Sequence, residues 1–308
     1  LNNQYYYRHQ RPNRPKPRRK LPKRLGTLIV VIGIIFLIIS VVKINGRTVY
    51  AHLTESSSQL LQEEQNQQAK QNEAKLETLK SAVNSIINNN SGINFEVSAI
   101  DITGDNKQLD FGQSGPMAAA SVSKILTAAD FLQEVEKGQQ SLNETLEDGN
   151  TASYDLQQMI VVSDDNAWES LNDQLTYIQI QSYADQIGVN SYQWQNNTLS
   201  AYDTANMLAK LWGGKLLNKT NTDLILGYMK QANYRQYIVP AVPSYDTIYH
   251  KIGLYNDNVN DAAIISNGKQ TISLVIFTNG NGTYDWQNRA TLMQQITTAF
   301  LSYYGLSH

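Results

Sequence analysis

Met117-Ala118-Ala119-Ala120-Ser121-Val122-Ser123-Lys124 is the stretch that decides how this chain is read. Ser121 stands three residues before Lys124, at the start of an apolar-periodic run, Ile125-Leu126-Thr127-Ala128-Ala129-Asp130-Phe131-Leu132. If that run is helical, the serine lies at its N-terminus and the lysine on the same face one turn on. A hydroxyl there is near an amine that can take its proton, and the free N–H groups of a helix end favour negative charge. The pattern therefore predicts an activated serine nucleophile. A Ser N-cap beside a surface lysine is the plainer reading. It fits less well, because a capping box wants Glu or Gln where Lys124 stands. Ser-x-x-Lys also arises by chance in a chain of this length, so its neighbours must decide.

The 308 residues, 41% of them hydrophobic, suffice for one large domain or two small ones with a sizeable core. The absence of cysteine excludes a disulfide framework, thiolate zinc sites and a cysteine nucleophile, and it suits an exported bacterial protein. The net charge of −2 hides a split: residues 1–24 carry nine Lys or Arg and no acid, leaving 16 basic against 27 acidic residues elsewhere, about −11.

The basic segment, which includes Asn13-Arg14-Pro15-Lys16-Pro17-Arg18-Arg19-Lys20, cannot build a core and is expected to be disordered. Leu25 to Val42 then runs for eighteen residues without a charge, near the minimum for a spanning helix. The positive block before it predicts a cytoplasmic tail, 1–24, and an anchor through the lipid bilayer, 25–43, with everything beyond outside the cell membrane. A cleaved signal peptide is the competing reading, but no small-x-small cleavage site stands near Ser40-Val41-Val42-Lys43. A basic tail that abuts an anchor reads as an orientation signal or anionic-lipid contact rather than a nucleic-acid arm.

Residues 44–72, rich in Gln and Glu, predict a polar helical stalk or linker, with self-association through it as one option. The outer domain is placed at 73–308. It opens with a helix carrying Leu76, Leu79, Val83, Ile86 and Ile87, which stops at Asn88-Asn89-Asn90-Ser91-Gly92. A hairpin over Ile93–Ile102 and Lys107–Phe111 follows, and then the Ser121 helix. From Ser153 to about Lys230 the texture is helical, with periodicity in Leu156–Val162, Ala167–Leu175 and Thr204–Trp212. Strands return at Asp246–Ile252, Asn260–Ser266 and Thr271–Asn279, before a final helix over about Asp285–Tyr304. Strands at both ends with helices between predict an α+β domain, an antiparallel sheet assembled from both ends of the domain and flanked by helices, with an all-α insert.

Two further segments can supply groups to Ser121. In Met159-Ile160-Val161-Val162-Ser163-Asp164-Asp165-Asn166-Ala167, Ser163 could pass a proton, and Asp165 or Asn166 could hold Lys124 or a substrate backbone. Alone, the cluster reads more readily as a helix cap. In Ile248-Tyr249-His250-Lys251-Ile252-Gly253-Leu254, a lysine on an apolar strand could hold an anionic carboxylate, and the glycine lets another backbone approach. An exposed edge-strand lysine is the alternative.

Ser-x-x-Lys, a Ser-Asp-Asn-like loop and Lys-x-Gly, in that order, resemble the class A β-lactamase and penicillin-binding protein superfamily, over roughly Glu73 to Tyr304. The resemblance implies the class A β-lactamase-like fold and a serine hydrolase without cofactor or metal. It implies acylation of Ser121 by a β-lactam or a D-Ala-D-Ala-like peptidoglycan stem peptide, with Lys124 as base and Ser163 relaying the proton to the leaving nitrogen. Lys251 would attract the substrate carboxylate, and the N–H groups of Ser121 and Leu254, beside Gly253, would form the oxyanion hole.

The sequence departs from that pattern in three places. Asp165 stands where the family has Asn, unless Asn166 takes that place; a buried carboxylate there would raise the pKa of Lys124. Ile252 replaces a Thr or Ser. The family's Glu-x-x-Leu-Asn segment, whose glutamate activates the deacylating water, has no counterpart: residues 188–198 contain no acid. Slow deacylation is expected, and a catalytically inactive wall- or partner-binding copy of the fold is the alternative. A Ser-His-Asp triad and a histidine-rich zinc site are set aside, because His250 already stands beside Lys251 on a strand. Gly213-Gly214-Lys215 reads as a helix end, not a phosphate loop.

Overall fold

In the computed structural model, which describes residues 46–282 and 285–307, the hairpin expected after the first helix is β1 (Asn94–Asp101) and β2 (Gln108–Gly112). The short β3 (Met117–Ala118) leads into a 3-10 turn, Ala120–Ser123, and α2 (Lys124–Glu136). The helical insert comprises α3 (Ala152–Val161), α4 (Asp165–Leu175), α5 (Tyr177–Gln186), α6 (Ala201–Trp212) and α7 (Lys219–Gln231). The two-residue β4 (Thr198–Leu199) precedes α6 and pairs with β3. Strands β5 (Thr247–Tyr255), β6 (Asn258–Ser266) and β7 (Thr271–Asn279) precede α8 (Trp286–Tyr304).

The main sheet has the order β2-β1-β7-β6-β5, with every pair antiparallel. The first strand therefore lies against the last, Asn94 opposite Asn279 and Asp101 opposite Ile272. That pairing closes the domain from both ends, as the order of strands and helices predicts.

Both faces of β7 are buried, so its centre, Leu274–Phe277, is a continuous apolar run rather than an alternating one. One face packs with the helices of the insert through Val275 and Phe277. The other packs with α8 and the first helix, α1 (Gly46–Asn89), through Leu274 and Ile276 against Leu79, Val83, Ile296 and Phe300.

The segment read as a polar helical stalk and the first domain helix both fall within α1, which runs for 44 residues. No Gly or Pro stands between Arg47 and Ser91 to interrupt it. Residues 58–75 are exposed throughout, and Gln71–His308 forms one compact unit. The basic tail and the apolar segment 25–43 lie outside the described residues. Among the described residues, no helix is long and apolar enough to cross a membrane.

β5 also runs three residues beyond its expected end at Ile252. That extension carries Gly253 and Leu254 past the Ser121 turn.

Candidate active site

Ser121 lies in the 3-10 turn and Lys124 begins α2, so the serine precedes the lysine by one turn. Ala120, immediately before the serine, has φ +50. A residue with a Cβ in that region costs on the order of 1–3 kcal/mol and stays there only when its surroundings hold it. Here the Ala120 carbonyl accepts hydrogen bonds from Ser123 Oγ at 2.9 Å and from Asn197 Nδ2 at 3.0 Å. The Asn197 carbonyl in turn accepts from the Ala119 N–H at 2.8 Å. On the other side, the buried amide of Asn260 donates to the carbonyls of Ala118 at 2.8 Å and Ala119 at 3.2 Å, and its oxygen accepts from the Thr278 N–H. The serine is thus aimed by a turn clamped from two elements.

Gly253 sits against this turn. A Cβ there would lie 2.4 Å from the Ala119 oxygen and 3.1 Å from the Ser121 nitrogen. The strand passes so close that glycine alone fits, which brings Leu254 into the cleft beside Ser121.

Ser163 lies in the link between α3 and α4, with φ +65. It meets both lysines. Lys251 Nζ donates to Ser163 Oγ at 2.7 Å, and Lys124 Nζ donates to the Ser163 carbonyl at 2.8 Å. Lys124 also reaches the Asp164 carbonyl at 3.2 Å and Asp165 Oδ1 at 2.5 Å, and it lies 5.2 Å from the centre of the Trp168 ring. Both lysines are buried. Burial pushes the pKa of Lys251 down to about 7, helped by the charge of Lys124 and opposed by Asp261 and Asp165. Burial also holds Lys124 below the ordinary lysine value, although the hydrogen bond and charge of Asp165 pull it back upward.

Asp165, not Asn166, faces Lys124. Asp164 caps α4 by accepting from the Asn166 and Ala167 N–H groups, which fixes the phase of the helix. One residue on, at about 100° per residue, Asn166 turns away from the serine. It lines a neighbouring cleft of about 520 Å³ instead, so the expectation that Asn166 shares the Ser121 site is corrected. The buried carboxylate expected at 165 is corrected too, because the Asp165 side chain is 82% exposed. Solvent therefore screens its hold on Lys124. Ile252 packs into the core on the α1 and α8 side of the sheet.

The Ser121 cleft, about 670 Å³, is lined also by Asp165, Trp168, Glu169, Asn172 and Gln195–Asn197. Sequence reasoning missed Trp168, Glu169 and Asn172. Glu169 and Asn172 are four and seven residues beyond Asp165, a helical face that could have been read from the spacing. Trp168 Nε1 and the Asn172 amide oxygen both bond Thr127 Oγ1 on α2, at 2.9 and 3.0 Å, tying α4 to the nucleophile's helix. The Tyr177–Trp194 stack, 5.3 Å between ring centres, joins two segments that sequence spacing does not connect. His250 is structural: its Nδ1 is 3.2 Å from buried Asp261, whose other oxygen accepts from the Ile238 N–H. Among the described residues, no three His, Asp or Glu side chains are placed to hold a metal ion.

Solved structures share this arrangement of sheet and helices. A penicillin-binding protein, PBP-A, has a TM-score of 0.68 at 18% identity over 74% of this chain and 96% of its own. A point mutant of PBP-A, solved as an acyl-enzyme complex with penicillin G, reaches a TM-score of 0.69 at 18% identity over 75% and 97%. An ancestral class A β-lactamase gives 0.68 at 16% identity over 73% and 99%. No curated protein matches the sequence. The family model described as the beta-lactamase enzyme family matches residues 78–304. With its sheet closed from both ends and its Ser-x-x-Lys serine at the helix start, the chain belongs to the beta-lactamase enzyme family.

Proposed function

We propose that the chain is a membrane-anchored, extracytoplasmic serine hydrolase that forms an acyl-enzyme at Ser121 with β-lactams or D-Ala-D-Ala-type peptidoglycan peptides. The observation that carries this reading is the contact of Lys251 Nζ with Ser163 Oγ at 2.7 Å, in the same group as Lys124. The Ser163 hydroxyl accepts from one ammonium and keeps its own proton to donate, the arrangement a proton relay to a leaving nitrogen needs. Lys124 in its neutral form takes the proton of Ser121 as Oγ attacks the carbonyl carbon. The Ser121 and Leu254 N–H groups receive the developing oxyanion, each such donor worth about 3–4 kcal/mol. The ammonium of Lys251 draws in the substrate carboxylate. The anchor is supported by the uncharged run Leu25–Val42 and the basic block before it.

Intact-mass spectrometry of the chain with penicillin G, followed over time beside Ser121→Ala, tests the reading. A Ser121-dependent adduct supports it, and a folded protein that never gains mass ends it.

One observation favours a second reading, a catalytically inactive wall- or partner-binding module. Lys124 Nζ has three acceptors, the carbonyls of Ser163 and Asp164 and the Asp165 carboxylate, which suit an ammonium rather than a free base. The exposed pair Leu60 and Leu61 supports self-association through residues 44–72; equal monomer masses with and without that segment would end the idea.

A further inference from the structure

We propose that Glu169 is the base that activates water to hydrolyse the acyl group on Ser121. The inference rests on the acyl-enzyme reading above and names the residue that completes its second half.

An ester on Ser121 is released at a useful rate only if some group removes a proton from the attacking water, a contribution of about 10²- to 10⁴-fold. Lys124 is a poor candidate for this step, since it is fully buried and does not line the open cleft from which the water must attack. The segment 188–198 brings Gln195, Asn196 and Asn197 to the cleft, and amides are not bases. The two carboxylates lining the cleft are Asp165 and Glu169. Asp165 is held by Lys124 at 2.5 Å. Glu169 is one turn further along the same face of α4, exposed, and in no hydrogen bond or ion pair among the described residues. It is the free carboxylate of the cleft that holds the nucleophile.

The step balances without a co-reactant. The Glu169 carboxylate takes a proton from water as the water oxygen bonds to the acyl carbon. The bond from that carbon to Ser121 Oγ then breaks, and the proton passes back to Oγ. Ester and water become carboxylic acid and serine, with the glutamate unchanged. The plainer reading makes Glu169 a solvated residue on the rim of the acidic neighbouring cleft, which it lines together with Asp148, Asp155 and Asp173.

The test is a time course of the penicillin G adduct by intact mass, comparing the full chain with Glu169→Gln. The wild type is expected to gain and then lose the adduct. Glu169→Gln is expected to gain it and to lose it about 100-fold more slowly. Hydroxylamine, a nucleophile that needs no such base, is expected to strip the persistent adduct. A variant that clears its adduct as fast as the wild type overturns the proposal, as does a wild-type adduct that never clears. An adduct on Glu169→Gln that resists hydroxylamine also overturns it, because the variant would then have closed the cleft rather than lost a base. A wild-type chain that forms no adduct refutes the acyl-enzyme reading itself, and the role of Glu169 with it.

Discussion

The carboxylate of Asp165 lies 2.5 Å from the ammonium of Lys124, an exposed acid joined to a fully buried base. Two opposing effects meet in that contact. Burial disfavours the lysine's charge, while the carboxylate stabilises it, and burial is the larger. In the proposed acylation, that balance sets how much neutral amine is present to take the proton of Ser121.

Replacing the carboxylate by its amide removes the charge and keeps the shape. Asp165→Asn is therefore expected to lower the pKa of Lys124 further and to speed acylation of Ser121 at neutral pH. The gain is about tenfold for each unit by which the pKa falls. Stopped-flow or quenched-mass rates with penicillin G measure it; a slower variant would show that Asp165 positions substrate instead.

A methyl group on Gly253 would stand 2.4 Å from the Ala119 oxygen. Gly253→Ala must push β5 off the Ser121 turn and move the Leu254 N–H. The expected outcome is a loss of about 10²-fold or more in acylation rate, as for a lost oxyanion donor, and of about 1–3 kcal/mol in stability. Acylation kinetics and urea denaturation read the two effects separately.

Lys251 gives a pH dependence with a definite sign. Its pKa is held down to about 7 by burial and by Lys124, so the ammonium proposed to bind the substrate carboxylate is present below that pH and lost above it. In a Ser121→Ala background, affinity for penicillin G is expected to fall about tenfold per pH unit above 7. Between pH 7 and the ordinary lysine value the unfolded chain binds the extra proton, so folding stability contributed by this group rises with pH across that window. Calorimetric titration and thermal melts at stepped pH check the two slopes.

Asn260 is buried and bonds the carbonyls of Ala118 and Ala119 while accepting from the Thr278 N–H. Asn260→Ala leaves three backbone groups, two of them buried, without this partner. A cost of about 2–4 kcal/mol is expected, with slower acylation as the nucleophile's turn loosens. Chemical denaturation measures the cost; a loss below about 0.5 kcal/mol would mean the clamp is not needed.

What the sequence alone determined was whatever local spacing and periodicity can carry. Apolar alternation marked the hairpin of β1 and β2, and the run of apolar residues marked β7. The three-residue step from Ser121 to Lys124 put both groups on one turn. Lys251 and Gly253 were legible as a pair because a charge and a glycine are anomalous on an apolar strand. Tertiary structure decided what depends on phase and approach between distant segments. The choice of Asp165 over Asn166 follows from where Asp164 caps α4, and a rotation of one residue reverses it. The exposure of Asp165, the crowding of Gly253 against Ala119, and the clamps from Asn197 and Asn260 arise only when β5, β6 and the segment before β4 converge on the Ser121 turn. Those contacts join residues far apart in the chain, and no local periodicity encodes the distance between them.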